Sequence, residues 1–197
     1  MITAIHIDLE TLDTAHTAKL LSIGAVCGTD EFYREVDTVM YDPYGDFTQS
    51  ASTMQWWADR GGFKPLCELV SPYAAVHDLA LFINRVWDGS TDLEIWANSP
   101  SFDCAILKHH FVQFNVTCPW MFYHERDVRT IKNASQRLRL GQRMPENPHN
   151  ALQDAKNQQA LVDGFFRTME RNVQLARNCL ESVWPGLESD QHGGAAQ

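Results

Sequence analysis

Residues 4–27 read AIHIDLETLDTAHTAKLLSIGAVC and contain two consecutive strand patterns. Side chains alternate in polarity from Ala4 to Glu10, and a largely apolar run follows from Leu20 to Cys27. Because side chains of a strand point alternately to its two faces, Asp8 and Glu10 share one face. Two neighbouring carboxylates repel each other, and a divalent cation such as Mg²⁺ or Mn²⁺ would relieve that repulsion. The pair predicts a metal site at a strand end, with two ordinary solvent-facing acids as the alternative.

The remainder of the chain predicts helices that alternate with strands. Three β-rich segments followed by alternating elements indicate an α/β fold, a mixed five-stranded sheet flanked by helices. The expected elements are a strand over Glu31–Asp37, a helix opened by Ser52 and Gln55, a helix over Pro72–Trp87, a strand over Leu93–Ala97, a helix over Phe102–Phe114 capped by Ser101, a strand near Met121–Tyr123, a helix over Val128–Gln136, and a long helix from Asn150 with a break near Gly164.

Length and composition predict one domain. The 197 residues, 44% of them hydrophobic, suffice for a single core, which we place in residues 1–187, with 188–197 as a flexible tail. No apolar run is long enough for a membrane span, and the first residues lack the pattern of an export signal. The odd number of cysteines, five, contains no CxxC pair and favours a reducing, cytoplasmic setting.

The net charge of −9 is unusual for a protein that handles nucleic acid, because phosphates attract positive charge. Basic residues nevertheless concentrate between Glu125 and Arg143, where the local balance is positive. An acidic protein can also hold phosphates through metal ions bound to its carboxylates. A solvated loop or helix surface explains the basic stretch equally well, so charge alone decides nothing.

Three further residues extend the carboxylate pattern. Asp103 falls in the first turn of a predicted helix, where the helix dipole favours an anion. Asp154 lies five residues after His149, at the start of the last helix. Five helical steps would point the two side chains in different directions, so we place His149 in the loop before the helix. A helix-dipole role for Asp103 and a polar helix end at His149 are the alternatives.

The ordered set resembles the DEDDh branch of the 3′→5′ exonucleases, which have a ribonuclease H-like fold. It consists of a DxE pair on the first strand, a central Asp and a late His-x4-Asp. The sequence around these positions resembles a subgroup typified by phage exonuclease A and a mycobacterial exoribonuclease. The matching segments are DLETL (8–12), LSIGAV (21–26), STMQWW (52–57), SFD (101–103) and RDVRTI (126–131).

The resemblance implies a role for each residue of the set. Asp8 would bridge two Mg²⁺ or Mn²⁺ ions, Glu10 and Asp154 would complete one ion site, and Asp103 would support the other. His149 would accept the proton of the attacking water. The expected reaction is hydrolysis from the 3′ end of single-stranded DNA or RNA, or of a 3′ overhang, with release of nucleoside 5′-monophosphates. A homodimer is also expected, since family members are often dimers.

The residues expected to contact substrate are less tightly specified. Thr11 and Leu12 would line the pocket of the terminal nucleotide, as the resemblance implies. Trp57, of the pair Trp56-Trp57, would offer a stacking surface, although one indole of such a helical pair is usually packed in the core. Arg126 and Arg129 would contact phosphate, or would form an internal ion pair with Asp127.

Three other functions compete with an active exonuclease. A transposase-like nuclease on the same fold would lack the His-x4-Asp pair. A nucleic-acid-binding module of the same fold would have lost the chemistry, but all five catalytic positions here hold the required residue types. A structural domain stabilised by a divalent ion would have no use for His149, because hard cations prefer oxygen ligands. An active enzyme is therefore the preferred hypothesis, and the choice between DNA and RNA stays open.

Overall fold

The computed structural model describes residues 2–140 and 149–183, and in this part of the chain it confirms the α/β class. The expected tail at 188–197 lies outside the described residues. The sheet has six strands rather than five, because the two-residue strand β4 was not predicted. The strands are β1 (Ile2–Thr11), β2 (Leu20–Cys27), β3 (Asp30–Val36), β4 (Leu69–Val70), β5 (Asp92–Ala97) and β6 (Glu125–Asp127).

The sheet is mixed, with the order β4-β3-β2-β1-β5-β6. Strands β1, β2 and β3 form an antiparallel meander, whereas β5 lies parallel to β1 and β6 parallel to β5. The carboxyl ends of β1, β5 and β6 therefore meet at one edge of the sheet. In open sheets of this kind, that edge is where functional side chains gather.

Five α-helices flank the sheet. They are α1 (Ala51–Asp59), α2 (Pro72–Val86), α3 (Asp103–Gln113), α4 (Val128–Arg137) and α5 (Ala151–Val183). Short 3₁₀ helices occur at Thr38–Tyr44 and Phe122–His124. Among the described residues, no helix combines the length and the apolar character that a membrane span requires.

The two faces of β1 have different neighbours. Ile5, Ile7 and Leu9 belong to the main hydrophobic core, which also contains buried residues of α2 and α3. The opposite face of the sheet is covered by α5, which contacts β1, β2 and β3. Because side chains alternate along β1, Asp8 and Glu10 point toward α5, as predicted.

Gly24 of β2 lets the first turn of α5 approach the sheet closely. A Cβ atom at this position would lie 2.2 Å from the backbone carbon of Ala151 and 2.2 Å from the backbone nitrogen of Leu152. No real Cβ atom comes so near to backbone, so α5 could not sit here above any other residue. Gly24 also pairs directly with Asp8 across the β1–β2 ladder. The glycine therefore fixes the height of α5 above the carboxylates.

Two predicted helix starts were wrong, by two residues for α1 and by one residue for α3. Helix α1 is capped by Ser50 rather than Ser52, because the Ser50 hydroxyl accepts the Thr53 N–H at 3.1 Å and so satisfies a free donor of the first turn. Helix α3 begins at Asp103 and has no side-chain cap from Ser101. The Asp103 N–H donates instead to the backbone oxygen of Ser99 at 3.1 Å.

The strand expected near Met121–Tyr123 was also wrong. Those apolar side chains are exposed, and strand pairing with β5 is made by Glu125–Asp127 immediately afterwards. The break expected near Gly164 is absent from α5, which continues through it. A single glycine weakens a helix by only about 1 kcal/mol relative to alanine, and the neighbouring turns tolerate that.

Candidate active site

Three of the predicted carboxylates meet between β1 and α5. Ligand oxygens of Asp8, Glu10 and Asp154 all lie within 4.8 Å of one another. Asp8 and Glu10 come from alternate positions of β1, and Asp154 comes from the first turn of α5. Asn150 begins that helix, since its side-chain oxygen accepts the Gln153 N–H at 2.9 Å. The close approach at Gly24 brings this turn down onto the strand.

Burial and mutual repulsion raise the pKa of the β1 carboxyls. Burial, together with the charges of Asp154 and Asp103, raises the pKa of Glu10 to about 8. The pKa of Asp8 is raised well above its ordinary value by burial and by Asp103, Glu10 and Asp154. Groups that resist ionisation together in this way form a site that favours a bound cation.

Asp103 and Asp154 behave similarly. Burial raises the pKa of Asp103 to about 7, against the lowering influence of surrounding backbone N–H groups and of Arg129. Burial raises the pKa of Asp154 to about 6. Asp103 lies outside the group within 4.8 Å, but its charge acts on both Asp8 and Glu10. It is therefore a fourth carboxylate beside the cluster.

Gln158 is a site residue that the sequence reasoning missed. It is completely buried, and its side-chain N–H donates to Asp8 Oδ1 at 2.8 Å. This bond opposes the rise in the pKa of Asp8 and fixes the orientation of that carboxylate. Gln158 follows Asp154 by four residues, so the two lie on the same helix face. That spacing was the one available signal.

The cluster has the chemistry of a site for hard divalent cations. Its donors are all carboxylate oxygens, as Mg²⁺ and Mn²⁺ prefer. Asp154 Oδ1 is buried and has no hydrogen-bond partner among the described residues, although buried polar atoms are normally paired. An ion at the cluster would satisfy this oxygen and offset the repulsion among Asp8, Glu10 and Asp154. The residues therefore fit a metal.

His149 lies in the segment before α5, at the rim of a cavity that Trp57 also lines. Its side chain is exposed and its backbone has a φ of 54°. The imidazole lies edge-on to Trp56, with ring centroids 4.6 Å apart. Partial burial lowers its pKa, and the charge of Arg60 lowers it further. The neutral form, which can accept a proton, is therefore favoured near neutral pH.

A cavity of about 400 Å³ opens beside Glu10. Its wall includes Thr11, Trp56, Trp57 and Phe102. Trp57 is buried and donates its indole N–H to the Thr11 backbone oxygen at 3.0 Å, whereas Trp56 is half-buried. One indole of the pair is thus packed and held in place, as expected. The cavity combines apolar surfaces with a carboxylate at its edge.

Other predicted substrate residues lie in different surroundings. Leu12 is half-buried, and its backbone bonds to Lys19 and Ser50 rather than lining the cavity wall. Arg126 donates to Glu94 Oε1 at 3.3 Å and to the Tyr123 backbone oxygen at 2.7 Å. It thus forms an internal ion pair, but with Glu94 rather than with Asp127. Arg129 is exposed, and its charge reaches Asp103.

A second cavity, of about 490 Å³, lies on the other side of His149 and Trp57. Arg60 and Lys64 contribute positive charge to its wall. The guanidinium of Arg60 stacks on Trp56, with its central carbon 3.9 Å from the ring centroid. Cations therefore lie in the wall of the cavity that contains His149, despite the acidic balance of the chain.

Solved structures of several nucleases share this fold. Cell-death related nuclease 4 (CRN-4) aligns with a TM-score of 0.57 and 12% identity over 84% of this chain and 64% of its own. The nuclease domain of 3′hExo, a DEDDh family member bound to rAMP, aligns with a TM-score of 0.50 and 13% identity, over 82% of this chain and 92% of its own. The Neurospora crassa Pan2 catalytic unit aligns with a TM-score of 0.51 and 16% identity, over 92% of this chain and 29% of its own. This chain thus spans less than two thirds of CRN-4 and of the Pan2 unit.

Comparison of sequences adds the family. No curated protein matches the chain. The sequence model of the 3′-5′ exoribonuclease Rv2179c-like domain matches residues 3–166, which is most of the chain and includes all five residues of the DEDDh pattern. The chain belongs to the Rv2179c-like 3′-5′ exoribonuclease domain family.

Proposed function

We propose that this exonuclease releases nucleoside 5′-monophosphates from the 3′ end of single-stranded nucleic acid or a 3′ overhang, by metal-dependent hydrolysis. The observation that carries the proposal is the cluster of Asp8, Glu10 and Asp154 within 4.8 Å. His149 packs against Trp56, which lines the same cavity as Glu10. Burying or half-burying four carboxylates with raised pKa values costs stability, and ordinary surface acids would serve any structural purpose better.

We propose Mg²⁺ or Mn²⁺ as the cofactor, with two ions per site. Asp8, Glu10 and Asp154 would hold one ion, and Asp8 and Asp103 would hold the other. Divalent ions supply charge neutralisation and Lewis acidity to phosphodiester hydrolysis. Gln158 keeps Asp8 in a fixed orientation through its 2.8 Å hydrogen bond, as partners of metal ligands commonly do.

His149 is proposed as the general base. Its pKa is lowered by burial and by Arg60, so the imidazole is neutral and able to accept a proton from the attacking water near pH 7. The exposed position at the rim gives it access to solvent for returning that proton. Trp56 packs edge-on against the ring and limits the directions in which it can turn.

The cavity beside Glu10 is proposed as the pocket of the 3′-terminal nucleotide. Its volume of about 400 Å³ lies within the usual range of small-ligand sites. Trp57 and Phe102 supply apolar surface for a base, while Thr11 lies next to Glu10. A base reaches such a pocket only when it is unpaired, which favours single-stranded ends. Arg129 and Arg126 are proposed to contact phosphates further along the strand.

RNA is the first substrate to test, because the family description names an exoribonuclease.

The five cysteines are all free, two of them exposed, which supports the proposed cytoplasmic setting. We also propose that the protein forms a homodimer.

The decisive experiment is digestion of single-stranded RNA and DNA labelled at the 5′ or the 3′ end, with Mg²⁺, Mn²⁺ or EDTA. We expect stepwise shortening from the 3′ end that EDTA abolishes. Asp8→Asn and His149→Ala should each remove most of the activity. Asp88→Asn, at an exposed position, and His77→Ala, at a half-buried position, change the same residue types away from the cluster. They serve as matched controls and should retain the activity.

Two outcomes would contradict the proposal. Cleavage from the 5′ end or within the strand would exclude a 3′ exonuclease reaction. Binding of single strands without cleavage under either metal would favour the inactive nucleic-acid-binding module instead.

A further inference from the structure

Helix α5 continues far beyond the body of the protein. Its 33 residues correspond to a length of about 50 Å at 1.5 Å per residue. Its buried residues end at Val162, and every residue from 170 to 183 is exposed. The match to the exoribonuclease family ends at Phe166. We refer to residues 166–183 as the α5 arm.

The α5 arm carries an apolar stripe with the period of a coiled coil. Apolar residues recur at intervals that alternate strictly between three and four, which is the a/d pattern of a heptad repeat. The six positions of the stripe are Phe166, Met169, Val173, Ala176, Leu180 and Val183. The opposite side is mostly polar and includes a hydrogen bond from Gln174 to Asn178 at 2.8 Å. A helix with such a stripe normally buries it against another helix.

We propose that the α5 arm pairs with the α5 arm of a second copy of this chain, in antiparallel orientation. In that arrangement Phe166, whose ring also lies edge-on to Trp96 with centroids 6.3 Å apart, faces the partner's Val183. Met169, which is half-buried, faces the partner's Leu180, and Val173 faces the partner's Ala176. All six apolar positions are covered at once by the twofold symmetry of a dimer.

The charges that flank the stripe select the antiparallel orientation. Glu170 and Arg177 occupy the same flanking position in successive heptads. Antiparallel pairing brings Glu170 beside the partner's Arg177, and symmetry repeats the contact. Parallel pairing would place Glu170 beside the partner's Phe165 and Arg177 beside the partner's Asn172, without any opposite-charge pair. Neither Glu170 nor Arg177 forms an ion pair within residues 2–140 and 149–183.

The strength of this association is limited by its size. The stripe spans about two and a half heptads. Two isolated peptides would need more heptads than this to form a stable helical pair. Here the helix is already anchored on the sheet by its first three turns, so its nucleation cost is met before association. We therefore expect a dimer in equilibrium with the monomer, since stable interfaces usually bury about 800 Å² on each partner.

Sedimentation equilibrium of the full chain over a wide concentration range tests the proposal. We expect a species with twice the 22.4 kDa mass of one chain. Leu180→Glu should leave only monomer. Leu175→Glu is the matched control, since Leu175 lies on the opposite side of the arm and is 57% exposed, against 55% for Leu180. Circular dichroism checks that both variants keep their helices.

Charge variants test the orientation. Glu170→Arg or Arg177→Glu alone should weaken the dimer about tenfold, because each places like charges together at two symmetric contacts. The double variant Glu170→Arg/Arg177→Glu should restore the original dissociation constant. A monomer at every accessible concentration, equal loss with Leu175→Glu and Leu180→Glu, or no recovery in the double variant would each overturn the proposal. None of these measurements depends on nuclease activity.

Discussion

Replacing Glu10 by glutamine removes one negative charge from the carboxylate cluster with little change of shape. In the metal-free protein, burial and the charges of Asp154 and Asp103 raise the pKa of Glu10 from 4.5 to about 8. Between these two pH values the folded state binds more protons at Glu10 than the unfolded state does. The free energy of unfolding therefore falls as the pH rises from 4.5 to 8. A neutral glutamine carries no such penalty.

The size of the effect follows from the pKa of Glu10. At 1.4 kcal/mol for each tenfold change in an equilibrium constant, a rise from 4.5 to about 8 corresponds to about 5 kcal/mol. That value is an upper limit, because the carboxyls of the cluster titrate together and share the repulsion. We expect Glu10→Gln to stabilise the metal-free protein by about 2–3 kcal/mol at pH 8, and by less than about 1 kcal/mol at pH 5.

Urea denaturation in EDTA at pH 5 and pH 8 measures this difference. Adding Mg²⁺ at pH 8 should then stabilise the wild-type protein, by about 2.7 kcal/mol when its concentration is a hundred times the dissociation constant. Glu10→Gln should gain much less from Mg²⁺, since it has lost a ligand. The substitution would thus raise stability while removing activity.

Glu68→Gln is the control for this experiment, because it changes an exposed carboxyl outside the cluster. It should alter stability by no more than about 0.5 kcal/mol at either pH. Equal stability of wild type and Glu10→Gln at pH 8, or the same gain at both pH values, would refute the electrostatic account of the cluster.

Further substitutions examine the other parts of the site. Gly24→Ala places a Cβ atom 2.2 Å from backbone of Ala151, so we expect a loss of about 2–3 kcal/mol in urea denaturation and a fall in kcat. His149→Ala should lower kcat by about 10²- to 10⁴-fold while Mg²⁺ still stabilises the protein against heat. Because burial and Arg60 lower the pKa of His149, the acidic limb of the wild-type pH–rate profile should lie below pH 6.5. The His149→Ala variant should lack this limb. Gln158→Leu removes the hydrogen bond to Asp8 and should weaken Mg²⁺ affinity about 10- to 100-fold, as measured by calorimetry.

The parts of the site that the sequence predicted are those set by local periodicity. The two-residue period of β1 places Asp8 and Glu10 on one face, and the structure puts both toward α5. Asp103 was expected in the first turn of a helix and lies there. These placements depend only on near neighbours in the chain, so they follow from the pattern without knowledge of the tertiary packing.

The parts that escaped prediction depend on contacts between distant segments. Gln158 donates a hydrogen bond to Asp8, which lies 150 positions earlier in the sequence. No local pattern around residue 158 predicts that partner. The course of α5 through Gly164 was also missed, because packing of the helix outweighs the small penalty of one glycine. Strand β6 begins after the apolar run at 121–123, since pairing with β5 decides its register rather than local β propensity.

The contact at Gly24 also bears on how other chains with this catalytic pattern should be judged. It is made by backbone atoms of Ala151 and Leu152, so no change of side chain on α5 could make room for a larger residue at position 24. A chain can therefore retain every carboxylate and the histidine, yet hold its last ligand too far from the strand if a side chain occupies this place. Inspection of that one position in the second strand would distinguish such a chain from a competent enzyme before any assay is run.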